Sequence, residues 1–363
     1  MTTTTNGSTP ASGSEVLSLE QSMRQARLPR WTPWAALAAA VVVGLLVTAP
    51  GGRSLGGVVA ITAITYLLLI GVLSGVREGS RRAKDRVVTA LVTIAFGLAM
   101  IPLVSVVWTV VGNGAARFDT TFFTWSMRGV IGEGGGALHA IWGTIIVTLA
   151  ATVISVPIGL LAAIYLVEYG AGSRLAKAIT FLVDVMTGIP SIVAGLFVAA
   201  LFVIVMGPGT KLGIMGSLAL AVLMIPTVVR STEEMLKLVP HDLREAAYAL
   251  GVPKWRTIVK VVLRTSISGI ATGVTLAIAR VAGETAPLLV TLGITTGTNF
   301  NLFEGRMATL PVYAYYQYTQ PGVPATAGVE RAWTAALVLI MLVMALNLVA
   351  RLISRLFAPK VGR

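Results

Sequence analysis

Residues 231–263 read STEEMLKLVPHDLREAAYALGVPKWRTIVKVVL, a polar stretch between two long apolar runs. Pro240, followed by His241 and Asp242, separates two short helical stretches, since a proline ring interrupts a helix. Asp242 is placed to cap the second stretch, with Glu245 three residues on completing a capping box. Leu243, Ala246, Ala247 and Leu250 recur at helical spacing and predict one compact face of small and apolar side chains. Gly251 and Pro253 end the helix. The expected product is a rigid two-helix elbow. Its alanines permit close approach to a partner's groove, and Glu245 offers one charged hydrogen bond. An ordinary amphipathic loop is the bland alternative. The Glu245-Ala246-Ala247 triplet with Gly251 four residues further favours a docking element.

What flanks the elbow is built for lipid. The chain has 363 residues, 55% hydrophobic and 12% charged, with a mean hydropathy of +0.84. Soluble domains carry about 25% charged residues. Eight apolar runs approach the ~20 residues a bilayer crossing needs: 34–50, 55–75, 87–111, 139–167, 178–206, 212–230, 265–294 and 332–353. The first is short, and Gly51-Gly52 leaves a tight turn before the second, so a re-entrant or interfacial hairpin stands as the alternative for these two. The expected organisation is a disordered tail over 1–30, a hydrophobic hairpin with a basic loop over 31–86, a transmembrane domain over 87–353 containing the coupling loop 231–263, and a short tail over 354–363. The first 30 residues, rich in Thr, Ser and Gly, lack the apolar surface to order themselves and do not resemble a cleavable signal.

Charge gives the orientation. Loops on one side of the membrane hold 21 of the 28 Lys and Arg residues and loops on the other hold six, with Arg280 inside a span. By the positive-inside rule the first side is cytoplasmic, both termini and the elbow included. The net charge of +13 is thereby absorbed into membrane topology, and nucleic-acid binding is excluded. With no cysteine and two histidines, neither disulfides nor a thiolate or histidine metal site is available. No Walker A phosphate loop occurs, so ATP hydrolysis by that route belongs to another chain.

Within run 265–294, Arg280 and Glu284 stand four residues apart, on one face of a continuous helix. Arg280 would lie about 22 Å along a helix of about 45 Å, near mid-membrane, where a charge costs at least ~2.5–3.5 kcal/mol. Arginine suits an oxyanion, because its fork of donors grips two oxygens and stays protonated. A purely structural Arg–Glu pair is the alternative. Thr285 and Pro287 add possible local unwinding beside the pair. Thr187 and Ser191 flank Pro190 and read equally as path lining or as back-bonded hydroxyls at a kink. Asp184 fits a vestibule or a salt bridge. Arg230 reads first as a residue snorkelling at the cytoplasmic edge and second as part of an inner gate. Glu168 reads as solvated. Tyr313, Tyr315, Tyr316 and Tyr318 in the outer loop fit an interfacial belt or a scoop over the outer mouth.

The elbow resembles the EAA loop of ABC-importer permeases, the element that seats in the ATPase. The family pattern commonly ends Ile-x-Leu-Pro, where this chain has Val261-Val262-Leu263-Arg264. The longer run from Glu234 to Leu289 resembles the PstA family, permease subunits of phosphate importers, as do GLLAAIYLVEYG (159–170), IPSIVAGLFV (189–198) and MATLP (307–311). The stretch GETAPL at 283–288 is the more specific mark; the related PstC permeases read GETMAV there. The resemblance covers about 87–353 and leaves 1–86 without a family account.

This resemblance implies an all-α polytopic helical bundle: a six-span type I importer permease core plus about two extra N-terminal spans. It implies a non-enzymatic translocation subunit in the bacterial inner membrane, partnered by a PstC-type permease, a PstB-type ATPase dimer and a PstS-type phosphate-binding protein. The chain itself would hold no cofactor; ATP and Mg would be used by the ATPase. Arg280, Glu284, Arg230, Thr285, Ser191 and Thr187 would line or gate the phosphate path, and Leu243, Glu245, Ala246, Ala247, Leu250 and Gly251 would couple to the ATPase. The rivals are a permease for another oxyanion, an ion-coupled secondary transporter, and a membrane scaffold or sensor that moves no solute.

Overall fold

A computed structural model describes residues 28–49 and 54–357. Most of the tail expected over 1–30, and the last residues of the tail expected over 354–363, lie outside that range. Every regular element among the described residues is helical. Apolar length explains this, since a chain in lipid must satisfy its backbone within each segment. The chain separates into two compact units, 1–107 and 108–363, with the division inside a helix.

The first unit holds α1 (Thr32–Thr48), α2 (Leu55–Glu78) and most of α3 (Ser80–Gly114). Ala36, Ala40 and Gly44 recur every four residues on the buried side of α1. Such a stripe lets two helices approach closely without side-chain bulk between them. Helix α1 has 17 residues, about 26 Å of rise, and falls short of a ~30 Å hydrocarbon core. Helices α2 and α3 are long and apolar enough to cross.

The second unit holds α4 (Thr120–Thr124), α5 (Leu138–Ile164, extended by a wider turn to Tyr169), α6 (Arg174–Gly188), α7 (Ser191–Met206), α8 (Gly213–Lys237), α9 (His241–Ala249), α10 (Lys254–Thr257), α11 (Leu263–Ala282), α12 (Ala286–Thr291), α13 (Leu310–Thr319) and α14 (Ala325–Phe357). Helix α8 is the most enclosed of the long spans. It shares one core with α5, α11 and α12, through Val147, Leu220, Met224, Val281 and Leu288. A second core, nearer the elbow, joins Ala163, Val183, Val229, Leu236 and Val262.

Three expected features are corrected. The run 178–206 is not one helix: α6 and α7 meet at an angle of 108°. Ile189 precedes Pro190 and is driven to extended backbone (φ −71°, ψ 127°), and Pro190 begins a new helix. The run 265–294 is also divided, because α11 stops at Ala282. Finally, the helix expected to end near Arg230 continues to Lys237, so Ser231–Lys237 completes a span and is not a separate loop helix. Among the described residues, six helices are long and apolar enough to cross a membrane, and the α6–α7 pair makes a seventh crossing if it counts as one span.

Ahead of α5, Arg117 donates to the Gly135 carbonyl (3.0 Å). The buried Arg331 donates to the carbonyls of Gly132 (2.8 Å) and Gly134 (3.0 Å). Tyr313 is buried beside His139 with its rings edge to face, while Tyr315 and Tyr318 remain exposed. The tyrosines therefore do not act as one belt.

Candidate functional site

The elbow begins at Pro240, whose φ of −58° suits the start of α9 and whose missing N–H costs nothing there. The cap expected from Asp242 is not made; α9 starts earlier, and Asp242 lies in its first turn, where a negative charge faces the positive end of the helix dipole. The helix ends in a double hydrogen-bonded turn. Gly251 N–H donates to the Tyr248 carbonyl (2.9 Å) and Val252 N–H to the Ala247 carbonyl (3.1 Å). This closure needs a left-handed residue, and Gly251 sits at φ +74°.

The predicted face of α9 divides in two. Leu243, Ala246 and Leu250 are exposed, as is Glu245, while Ala247 turns inward beside Arg244. Leu243 is 43% and Leu250 83% exposed, so the elbow presents uncovered apolar surface.

The residue that fixes the elbow was missed in the sequence. Arg244 is buried and donates through Nε (3.1 Å) and Nη2 (2.7 Å) to Glu168 Oε1. It also donates to the carbonyls of Val239 (2.6 Å) and Leu236 (3.0 Å) at the C-terminal end of α8, where carbonyls run short of backbone donors. One side chain thus joins α9 to the ends of α5 and α8. Glu168, expected to be solvated, has a side chain only 5% exposed. The available signal was the spacing of Arg244 to Ala247, three residues apart and hence on one face.

Above the elbow, Arg230 pairs with Asp184 of α6 and with Glu233 (2.9 Å), and Glu233 also holds Lys237 (2.7 Å). This network ties α6 to α8. Of the two readings of Arg230, free snorkelling is replaced by a fixed ion-pair position, two turns before the end of its helix.

The second region is the break after α11. Pro287 has no N–H to offer the Gly283 carbonyl, and its ring would crowd that carbonyl in a continuous helix. The chain unwinds over Gly283–Thr285 and resumes as α12. Arg280 is therefore in the last turn of α11, not at the middle of a long helix. Glu284 lies beyond the helix end, and the expected i,i+4 pair is not formed: among the described residues neither side chain has an ion-pair partner. Arg280 is exposed, on a stripe with Thr272 and Leu276, whereas Ala277 and Val281 face the core.

Helix α7 presses on this break. A Cβ on Gly195 would come within 2.6 Å of the Pro287 Cα, so only glycine permits the approach. Ser191 opens α7, and the Thr187 hydroxyl donates to the Val183 carbonyl (2.8 Å), which occupies it locally. Thr285 precedes α12 without a side-chain cap bond. At the other end of α12, Lys211 donates from Nζ to the Val290 carbonyl. The Arg306 stem passes Gly293 nearby. Burial, and then the Arg306 charge, hold the Lys211 ammonium below the usual lysine range.

Known proteins resemble the chain over much of its length. The family described as "Binding-protein-dependent transport system inner membrane component" matches residues 155–363. The phosphate transport system permease protein PstA 1 of Mycobacterium tuberculosis is 47% identical over 276 residues, covering 75% of this chain and 89% of the relative. The PstA protein of Yersinia pestis is 42% identical over 286 residues, covering 78% and 93%. Among solved structures, an inward-facing MetNI methionine ABC transporter superposes with a TM-score of 0.50 at 22% identity, covering 61% of this chain and 95% of that one, a likeness of fold alone.

Proposed function

We infer the work of this chain from its kinship: it belongs to the binding-protein-dependent transport permeases, among those named PstA. It is a multi-pass membrane subunit of an ABC importer and not an enzyme; the ATPase and the binding protein are separate partners. The substrate is inorganic phosphate. The observation that carries this is the 47% identity to a phosphate permease across three quarters of the chain.

The finer assignments rest on geometry and chemistry. The exposed face of Leu243, Ala246 and Leu250, edged by Glu245 and closed by Gly251, is the seat for the ATPase, with Ala247 setting the depth of α9 against its own chain. Arg280 lies open on the surface of α11 beside an unwound segment. A pathway shared by two permeases runs along the surface of each, so an exposed, unpaired guanidinium is suited to grip a passing phosphate from one side. Glu284, Thr285 and Ser191 flank the two breaks, Thr187 supports the kink, and Arg230 with Asp184 and Glu233 holds the inner end. A PstC-type permease supplies the other half, a PstB-type ATPase dimer uses ATP and Mg, and a PstS-type protein delivers phosphate. The excess of basic loops on the elbow side supports a cytoplasmic elbow in a bacterial inner-membrane protein.

The test is ATP-dependent uptake of radiolabelled phosphate into proteoliposomes holding this chain with its co-purifying partners, compared with Arg280→Ala. Uptake that requires ATP and fails in an assembled Arg280→Ala complex supports the reading. Undiminished uptake removes Arg280 from the path, and gradient-driven uptake without an ATPase overturns the importer.

A further inference from the structure

The first unit contains a cleft of its own. It has a volume of about 800 Å³ and is walled by α1, α2 and α3. Trp34, Leu37, Tyr66, Ile70 and Ile94 supply apolar and aromatic surface along it, and charged residues gather where α2 turns into α3. The family match begins only at residue 155, so nothing in it assigns this cleft a role.

The charges fall into two sets. Glu78 and Arg86 satisfy each other: Glu78 accepts from Arg86 Nη2 (2.8 Å), from the Ser74 hydroxyl (2.8 Å) and from the Leu28 N–H (2.7 Å). Arg82 and Asp85 stand beside this pair, with Asp85 acting on the Arg86 charge at longer range. Among the described residues, Arg82 Nη1 is buried with no hydrogen-bond partner. Asp85 makes no ion pair among the described residues. The two are three residues apart on α3 and so share a face. A buried guanidinium nitrogen without an acceptor is a standing cost that an oxyanion would remove.

The chemistry of the whole cleft narrows the ligand. A free inorganic anion would leave the apolar walls in water and meet Asp85 with like charge. A lipid whose headgroup carries only negative charge could meet the basic side chains but would leave Asp85 without a partner. A headgroup with a phosphate and a primary ammonium places both charges against opposite partners, and a chain can follow the apolar wall. The space suits a headgroup with the first part of one chain, in the range of ~300–1,000 Å³ for small-molecule pockets. We propose that this cleft binds a phospholipid of the ethanolamine class, with its phosphate on Arg82, its ammonium on Asp85 and an acyl chain along Trp34, Ile70 and Ile94.

Native mass spectrometry of the full chain with its co-purifying partners, stripped of lipid and then offered defined lipids, tests this. Dioleoyl phosphatidylethanolamine should be retained about tenfold or more over phosphatidylcholine, which has no N–H to give Asp85, and over phosphatidylglycerol, which has no ammonium. Arg82→Gln should lower retention about tenfold, and Asp85→Asn should abolish the preference for ethanolamine over choline. Arg82→Lys keeps a cation without the fork and should fall between. It serves in place of Arg82→Gln if that variant does not assemble. Water-soluble glycerophosphoethanolamine and inorganic phosphate should not displace the lipid. Equal retention of the three lipids, preference for phosphatidylglycerol, insensitivity to Asp85→Asn, or an assembled complex that takes up no lipid because a partner's helix fills the cleft would each overturn the proposal.

Discussion

Replacing Arg244 with alanine removes a side chain that fastens the elbow to two spans. Its loss strands Glu168, whose side chain is 5% exposed, and takes a donor from the carbonyls of Leu236 and Val239. Breaking a buried ion pair from one side typically costs ~3–5 kcal/mol, because the remaining charge is left in a poor solvent. If the elbow opens locally, that cost appears as a loss of amide protection of about two to three and a half orders of magnitude, up to the ceiling set by global unfolding. Hydrogen exchange read by mass spectrometry over 238–252 measures it directly. Arg244→Ala should lose at least about 100-fold protection there while the core of α5 and α8 changes little. Adding Glu168→Gln to it should recover part of the loss, since the double variant no longer buries an unpaired charge. Exchange within about twofold of the parent in Arg244→Ala, or a double variant worse than the sum of the singles, would refute the anchoring argument.

Three further outcomes follow from individual contacts. Gly251→Val forces a β-branched residue to φ +74° and should lower the stability of the elbow by at least ~1 kcal/mol, seen as faster exchange in 245–252 with uptake falling before ATP hydrolysis does. Gly195→Leu drives atoms into the Pro287 backbone and should prevent correct closure of α7 on α12, read as loss of uptake with a lowered melting temperature; an unaffected melting temperature would contradict the close approach. Asp184→Asn removes a partner that is 58% exposed, so its effect on thermal stability should stay within ~1 kcal/mol, and a larger loss would mean the pair is far less solvated than its exposure indicates.

Composition and periodicity reveal helices in lipid because each crossing must satisfy its own backbone, and long apolar runs have few other ways to do so. They do not reveal where a run is interrupted. Pro190 and Pro287 were both visible, yet each was read as a local disturbance inside a span, whereas each ends a helix and redirects the chain. For the same reason Arg280 was placed at mid-helix and paired with Glu284, when its helix stops two residues beyond it. The elbow was legible because its signals are local: a proline to start, a glycine to finish, helical spacing between. Arg244 and Glu168 were not, since they are 76 residues apart and nothing in either neighbourhood marks the other as its partner.

The anchoring of the elbow bears on how movement there reaches the break. Arg244 ties α9 to α5 through Glu168 and to the end of α8 through two carbonyls. Helices α5 and α8 are themselves in close register: a Cβ on Gly159 would fall 2.7 Å from a Val228 methyl, and the Ser155 hydroxyl reaches the Ala221 carbonyl (3.4 Å). The same pair shares its core with Val281 of α11 and Leu288 of α12, the residues either side of the unwound segment. Close-packed interiors do not deform continuously; they shift between packings. A displacement of the elbow that keeps the Arg244–Glu168 pair intact must then move α5 and α8 together, and their shared core can take it up only by repacking against the two helices that bracket Gly283–Thr285. Weakening the pair would let the elbow move without that consequence, which is why ATP hydrolysis without uptake, rather than loss of both, is the outcome this packing leads one to expect from Arg244→Ala.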